Sequence, residues 1–299
     1  MNPAVQSTSP DDRAYCCWIC GASVILAKPG NLPAELHPEV MRITDAHYGV
    51  TGDIFRCERC GFLECPKLDN VLDLYAGMED EGYEETRGTR ARQARTLLNI
   101  IARYKKGGRL LDIGAGSGIL VEEARSLGYD VCGIEPSGPL QATAEKLGLP
   151  VVHGIFPHPD IQGPFDIVTL IDVIEHVSDP VGLLRDIKGA MAPDGLCAIT
   201  TPDLNSLAAR LMGWKWWHFR VAHIGYFNAA TLTAALNSAG LRVKVLTRPT
   251  WYFPASYLAE RVLGYLPKPL RLPVPSLMDR VVVPINLYDS IFVICEHQH

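Results

Sequence analysis

The chain has 299 residues, 47% of them hydrophobic and 20% charged, with 28 Lys and Arg against 33 Asp and Glu for a net charge of −5. These values fit a globular chain of one large or two modest domains, and they exclude a disordered or fibrous one. The acid excess leaves no strong basic field for nonspecific nucleic-acid binding. No run of about 18 apolar residues predicts a transmembrane helix. Met1 to Arg13 is polar and carries two Asp, without the basic start and apolar stretch of a secretory signal, which predicts a cytoplasmic protein.

Six of the nine cysteines fall within the first 65 residues: Cys16, Cys17, Cys20, Cys57, Cys60 and Cys65. They include two C-x-x-C-G runs, Cys17-Trp-Ile-Cys20-Gly21 and Cys57-Glu-Arg-Cys60-Gly61. A two-residue gap lets both thiolates of a tight knuckle face one ion. The glycine that follows frees the backbone to turn its amides toward the sulfurs. Two such knuckles predict a closed four-thiolate site, a structural zinc held by Cys17, Cys20, Cys57 and Cys60. The alternatives are another metal or unliganded core cysteines. Cys16 and Cys65 are spares, although Cys16 would replace Cys17 after a one-residue shift. The 36 residues between the knuckles must form strands or loops of their own.

Residues 1–70 are therefore expected to form a zinc-ribbon-like module, and residues 71–106 a linker and helical lead-in. Tyr75 and Tyr83 there surround an acidic cluster. Arg87, Arg90, Arg92 and Arg95 open a helix that continues through Leu97 to Ile101, and this charge run reads as a solvated face.

From Arg109 short apolar runs alternate with helical ones. Strands are expected at Arg109–Ile113, Val131–Ile134, Val151–Val152, Phe165–Ile171, Leu196–Thr200, Leu241–Leu246 and Ser290–Cys295. Helices are expected at Ile119–Leu127, Leu140–Leu147, Val181–Met191 and Ala229–Ala239. The alternation predicts an α/β fold with a doubly wound, mostly parallel sheet over 107–299. A stretch rich in proline and aromatic residues at about 249–286, with Trp251, Tyr252, Phe253, Tyr257 and Tyr265, predicts a cap inserted before the last strand.

The first strand runs into Asp112-Ile-Gly114-Ala-Gly116-Ser-Gly118. The G-x-G-x-G spacing departs from the dinucleotide fingerprint, because its third glycine position is Ile119. A carboxylate two residues before the first glycine repels phosphate and suits a cationic, amino-acid-bearing ligand. Glu135, ending Gly133-Ile-Glu135, lies where an acid accepts hydrogen bonds from ribose hydroxyls.

With these residues, the run from Phe165 to Pro180, Pro193-Asp-Gly195 and Ile199-Thr-Thr-Pro202, the sequence resembles a class I S-adenosylmethionine-dependent methyltransferase over about Tyr104 to Leu246. The resemblance is greatest to the branch of ubiquinone-pathway O-methyltransferases. The knuckles, Tyr75, Tyr83 and His223-Ile-Gly-Tyr-Phe227 also resemble zinc-ribbon methyltransferases of bacterial glycan and secondary-metabolite pathways. The resemblance implies a seven-stranded Rossmann-like sheet. It also implies that Asp112, Gly114, Gly116 and Gly118 line the methionine half of the cofactor, that Glu135 binds its ribose, and that Ile155 and Phe156 cover its adenine. The acid that many relatives place beside that last position is absent from Val152-His-Gly-Ile-Phe156. Local readings stand beside these: Glu135 caps a turn, and Gly118 seats the helix on the sheet.

Asp172, Glu175 and His176 follow the fourth strand on the side where open α/β sheets bind ligands, and Asp172 joins the cofactor set. His176 is the first candidate base; the alternative is that the Glu-His pair braces the loop. His223 is the second, following the aromatic run Trp214-Lys-Trp-Trp-His-Phe219, which reads as a pocket wall or lid. The expected function is methyl transfer to a hydroxyl of a small-molecule or glycan-precursor acceptor. The bulky aromatic cap admits a lipid-linked acceptor, with peripheral membrane contact. Carbon methylation of a sugar nucleotide or polyketide, RNA methylation and a non-catalytic scaffold are the alternatives. The acidic composition weighs against RNA.

Overall fold

The structure is a computed structural model and describes residues 15–33, 49–68, 71–77, 81–264 and 273–298. The polar N-terminal stretch through Arg13, part of the inter-knuckle segment and Tyr265 lie outside the described residues.

At the N-terminus, β1 (Val24–Lys28) pairs antiparallel with β2 (Ile54–Cys57), and β2 pairs with β3 (Leu63–Glu64). The stretch expected to be a linker carries α1 (Val71–Ala76) and α2 (Glu81–Glu85), and α3 (Arg87–Ile101) follows. Gln93, Ala94, Leu97, Leu98 and Ile101 of α3 are buried. Their spacing of three and four lays that face on the sheet and the cavity described below.

The main sheet is built in chain order. β4 (Arg109–Ile113), α4 (Ile119–Ser126), β5 (Asp130–Glu135), α5 (Gly138–Lys146), β6 (Val151–His153) and β7 (Phe165–Ile171) form its first half. α6 (Pro180–Ala190), β8 (Met191–Pro202), α7 (Leu207–Met212), β9 (Gly225–Tyr226), α8 (Ala229–Ser238) and β10 (Leu241–Thr247) follow. The chain then adds β11 (Trp251–Pro254), α9 (Ala255–Gly264), β12 (Val282–Ile285) and β13 (Ser290–His297). The helix starts carry local signals: Ser137 and Asp179 accept amide hydrogen bonds as N-caps ahead of prolines, and Asn228 with Thr231 forms a capping box.

The seven strands lie in the order β10-β13-β8-β7-β4-β5-β6. Only β13 runs opposite to the rest, pairing antiparallel with both β8 and β10. This is the mostly parallel, doubly wound sheet that the alternation predicts. β8 begins at Met191, five residues earlier than Leu196, because Met191 pairs with Phe165 before an irregularity in the register. The centre is apolar on both faces: Ile167, Val168, Leu170, Cys197, Ile199, Phe292, Val293 and Cys295 are fully buried. β4 has β5 on one side and β7 on the other, so the order reverses there and a crevice opens beyond the carboxyl ends.

The N-terminal strands do not stand apart. β3 pairs with β9, Leu63 opposite Tyr226 and Glu64 opposite Gly225, making a four-stranded sheet of β1-β2-β3-β9. The knuckle sheet thus includes a strand from the middle of the α/β domain.

Candidate active site

At the end of β4 the chain turns through Gly114, Gly116 and Gly118 with φ of 75°, 56° and 79°, the left-handed region that favours glycine. Space is as restrictive as the dihedrals. A Cβ on Gly114 would lie 2.5 Å from Val173 Cγ2, and one on Gly116 would lie 2.6 Å from the Tyr83 hydroxyl. Gly118 serves a different contact: its Cβ would meet Leu149 at 2.6 Å and Ala144 at 3.4 Å, so it seats α4 against α5.

Two carboxylates lie beneath the loop. Glu135 is fully buried; its oxygens accept the Gly116 amide at 2.7 Å and the Ser137 amide at 2.8 Å. Asp112 accepts the Thr169 hydroxyl at 2.6 Å. Burial pushes both up to about 7, against the hydrogen bonds that favour their ionised forms. A loop backed by two acids is unsuited to phosphate and suited to a cationic group.

The crevice is a cavity of about 1620 Å³, larger than the ~300–1,000 Å³ of ordinary ligand pockets and roomy enough for a cofactor with an acceptor. Of the residues singled out in the sequence, Asp112, Gly114, Gly116, Ile155, Phe156, Asp172, His176 and His223 line it together. Gly118 and Glu135 sit behind the loop rather than on the wall.

The lead-in helices supply a wall that the sequence reading missed. Tyr83 lies over Gly116, and the Arg90 guanidinium sits 4.2 Å from the centre of the Tyr83 ring. Arg92 sits 4.6 Å from the Tyr252 ring of the cap. The arginine run is therefore not a uniform solvated face. Arg87 pairs with Glu84 and Glu122, and Arg95 with Glu123, whereas Arg90 lines the cavity. The signal was the period of three and four that puts Arg90 and Gln93 in one stripe with Ala94 and Leu97.

Beyond β7, Asp172 takes the unusual φ of 55° and accepts the Thr200 hydroxyl at 2.8 Å. A single 3₁₀ turn, Ile174–His176, follows. Glu175 is buried; one oxygen accepts the Thr201 hydroxyl at 3.0 Å, and the other has no hydrogen-bond partner among the described residues. His176 Nδ1 lies 2.6 Å from the Ala222 carbonyl, which can only accept, so Nδ1 carries the proton and Nε2 the lone pair. The His223 ring meets His176 edge-on at 4.9 Å, and His218 stacks on His223 at 5.6 Å. Burial drives His176 down to about 4 and His223 well below its ordinary value, with the nearby Arg220 adding to both, so both imidazoles are neutral near pH 7. Glu175, His176 and His223 also bring a carboxylate oxygen and two ring nitrogens within 4.8 Å of one another.

The aromatic run is divided between core and wall. Trp216 and Phe219 are buried in a satellite core, Trp217 and His218 line the cavity, and Trp214 is exposed. The cap is the antiparallel β11–β12 pair with α9, and Trp251, Tyr252, Phe253 and Tyr257 line the cavity. Phe253 and Tyr257 stack at 5.5 Å.

The four knuckle cysteines meet as their spacing predicts. Their sulfurs lie within 4.8 Å of one another, with Cys17 to Cys60 at 3.6 Å and Cys20 to Cys57 at 3.4 Å. Zinc–sulfur bonds of about 2.3 Å in a tetrahedron put sulfurs ~3.8 Å apart, so the set fits the ion. The amides of Arg59 and Cys60 each lie 3.4 Å from the Cys57 sulfur. Gly21 and Gly61 take φ of 68° and 75° to close the knuckles. Cys16 is exposed, pairs with Ser23 in an isolated antiparallel β-bridge and lies outside the cluster, in which Cys17 stands. Glu64 of β3 accepts the Trp18 amide at 3.0 Å and ties the first knuckle to its sheet.

A seven-stranded sheet with one reversed strand, a glycine loop over buried acids and a cavity at the switch point define a class I S-adenosylmethionine-dependent methyltransferase. A family model described as "Methyltransferase domain" matches residues 83–245, and the chain belongs to that family. It is 37% identical over 128 residues to the ubiquinone biosynthesis O-methyltransferase of Caulobacter sp. (strain K31), covering 36% of this chain and 47% of the relative. It is 40% identical over 121 residues to the protein of the same name from Nitrobacter winogradskyi, covering 38% and 44%. The chain spans about half the length of these curated relatives. Among solved structures it is similar to a chain of the complex between the Haloferax volcanii Trm112 methyltransferase activator and a methyltransferase. The TM-score is 0.51 at 16% identity, over 73% of this chain and 96% of that one, a likeness of fold.

Proposed function

We propose that the chain transfers a methyl group from S-adenosylmethionine to a hydroxyl oxygen of a small, largely apolar acceptor. The observation that carries this reading is the pair of neutral imidazoles, His176 and His223, in the same cavity as the glycine loop. Val173 packs on Gly114, so the segment bearing His176 is held directly against the loop. The relatives' printed name, an O-methyltransferase, supports oxygen as the acceptor atom.

The cradle fits the cofactor, because the positions where Cβ atoms would intrude are glycines and the charges behind them are acidic. When bound, S-adenosylmethionine supplies an electrophilic sulfonium methyl. Asp112, Gly114 and Gly116 would hold its methionine part, with Glu135 bracing the loop from behind through the Gly116 and Ser137 amides; Ile155 and Phe156 would flank the adenine, and Arg90 would offer a cation to the α-carboxylate. The protein's remaining work is alignment and proton removal. His176 Nε2, its tautomer fixed by Ala222, would take the acceptor's hydroxyl proton as the oxygen–methyl bond forms and the sulfur–methyl bond breaks, leaving S-adenosylhomocysteine. His223 stands beside it as the alternative base. Asp172, fixed by Thr200, borders the cofactor side.

Two expected results test this reading. Incubation with methyl-labelled S-adenosylmethionine and fractionated cell extract places label in small-molecule or lipid fractions. His176→Gln and His223→Gln are then compared: at least one slows turnover by about tenfold or more while S-adenosylhomocysteine still binds. If neither slows it, the base assignment fails.

Gly116→Ala tests the cradle. With φ at 56° and a Cβ 2.6 Å from the Tyr83 hydroxyl, strain of roughly 1–3 kcal/mol weakens S-adenosylhomocysteine binding about tenfold or more by calorimetry. Adding Tyr83→Phe relieves the contact but not the dihedral, so the double variant recovers only part.

A further inference from the structure

Gln93 is 6% exposed and lines the cavity, yet neither its amide nitrogen nor its amide oxygen has a hydrogen-bond partner among the described residues. The Trp251 indole N–H is buried and without a partner in the same sense, and it too belongs to the cavity wall. Both residues belong to elements that pack together: α3 lies on β11, and Arg92, next to Gln93, covers the ring of Tyr252, next to Trp251. Leaving such groups unpaired costs about 1–3 kcal/mol each, so a fold that only needed packing here would favour leucine and phenylalanine. The cap adds aromatic rings to the same cavity wall: Tyr252, and the stacked pair Phe253 and Tyr257.

We propose that Gln93 and Trp251 form an acceptor-recognition subsite for a planar ring that carries an oxygen acceptor beside an N–H or O–H donor, a carboxamide or hydroxy-carbonyl type of group. The glutamine amide meets such a group with one donor and one acceptor, and the indole adds a second donor to the same oxygen. The aromatic wall takes the ring. A plain hydrocarbon substituent leaves all three protein atoms unpaired. Discrimination by a site built to hydrogen-bond exceeds what apolar contact gives, because the wrong ligand leaves buried polar groups unsatisfied. This inference rests on the methyltransferase reading and adds the chemistry of the acceptor.

The test uses the full chain, saturated with S-adenosylhomocysteine, and two probes: 3,4-dihydroxybenzamide and 4-ethylcatechol. Binding is followed by calorimetry. The wild type is expected to bind the benzamide at least about tenfold more tightly, and Gln93→Leu to bring the two within about threefold. Trp251→Phe loses part of the preference. The melting temperature of Gln93→Leu stays level or rises, since the change removes partnerless polar atoms; a purely structural amide would lower it. Equal binding of the two probes by the wild type, the same preference in Gln93→Leu, or no binding of either probe overturns the subsite. Failure of the wild type to bind S-adenosylhomocysteine at all removes the methyltransferase reading, and the subsite with it.

Discussion

Stripping metal from the knuckles is expected to abolish turnover while leaving cofactor binding in place. The purified chain is expected to carry about one zinc ion, released by a strong chelator or by Cys20→Ser or Cys60→Ser. Its loss lowers the melting temperature by roughly 10 °C, because several kcal/mol of folding energy at about 2–4 °C per kcal/mol are removed. The asymmetry between the two functions follows from connectivity. The glycine loop is built by β4, β5 and α4, and among the described residues no knuckle strand pairs with β4 or β5. The segment carrying His223 depends on the knuckles at every step. β3 leaves the second knuckle and pairs with β9, Cys65 donates its amide to the Ile224 carbonyl at 2.8 Å, and Ile224 donates its own to the Glu175 carbonyl at 2.9 Å. Ala222 in turn fixes the His176 tautomer. Inductively coupled plasma measurement of zinc, with calorimetry and turnover before and after chelation, checks the result. Unchanged melting and turnover in a metal-free chain would sink the staple role.

The second large effect is on the pH dependence of cofactor affinity. In the ligand-free chain burial raises Glu135 from an ordinary 4.5 and Asp112 from 3.8, each to about 7. An acid raised by folding binds its proton more tightly in the folded state. Its ionisation therefore costs stability, fully above pH 7, and the cost fades as pH falls toward the ordinary value. The positive charge of the bound ammonium favours the ionised forms through space, so affinity rises as pH climbs through 7. Binding of S-adenosylhomocysteine is expected to strengthen by about tenfold between pH 6 and 8, one pKa unit being about 1.4 kcal/mol. Glu135→Gln flattens much of that slope and weakens binding, since glutamine offers one oxygen where two amides need acceptors. Asp112→Asn removes the rest. His176 does not interfere, because at about 4 it stays neutral across the range. A wild-type affinity that is flat from pH 6 to 8 would contradict the carboxylate placement.

What was legible in the sequence is what local chemistry dictates. The period-two and period-3.6 runs gave the strands and helices of the main sheet, since each buries an apolar face whose spacing is set by its own backbone. The glycines of the loop were legible because only they enter the left-handed region at that spacing, and the knuckles because two thiolates two residues apart face one ion. Where one residue plays two parts, sequence reading left them open. Gly118 seats a helix and Glu135 braces the loop amides, roles that depend on Leu149 and Gly116 lying nearby.

Tertiary structure decided the rest, because it rests on contacts between distant segments. Nothing local to Arg90 says that it will cover Tyr83, nor does the sequence near Trp216 distinguish it from Trp217, one in a core and the other on a cavity wall. The histidines are neutral or charged according to burial, and burial is set by the whole fold. Above all, the pairing of β3 with β9 joins the cysteine knuckles near residue 60 to a histidine at 223. A strand of two residues with open backbone groups carries no signal in its side chains; its partner is whatever edge the folded chain brings beside it.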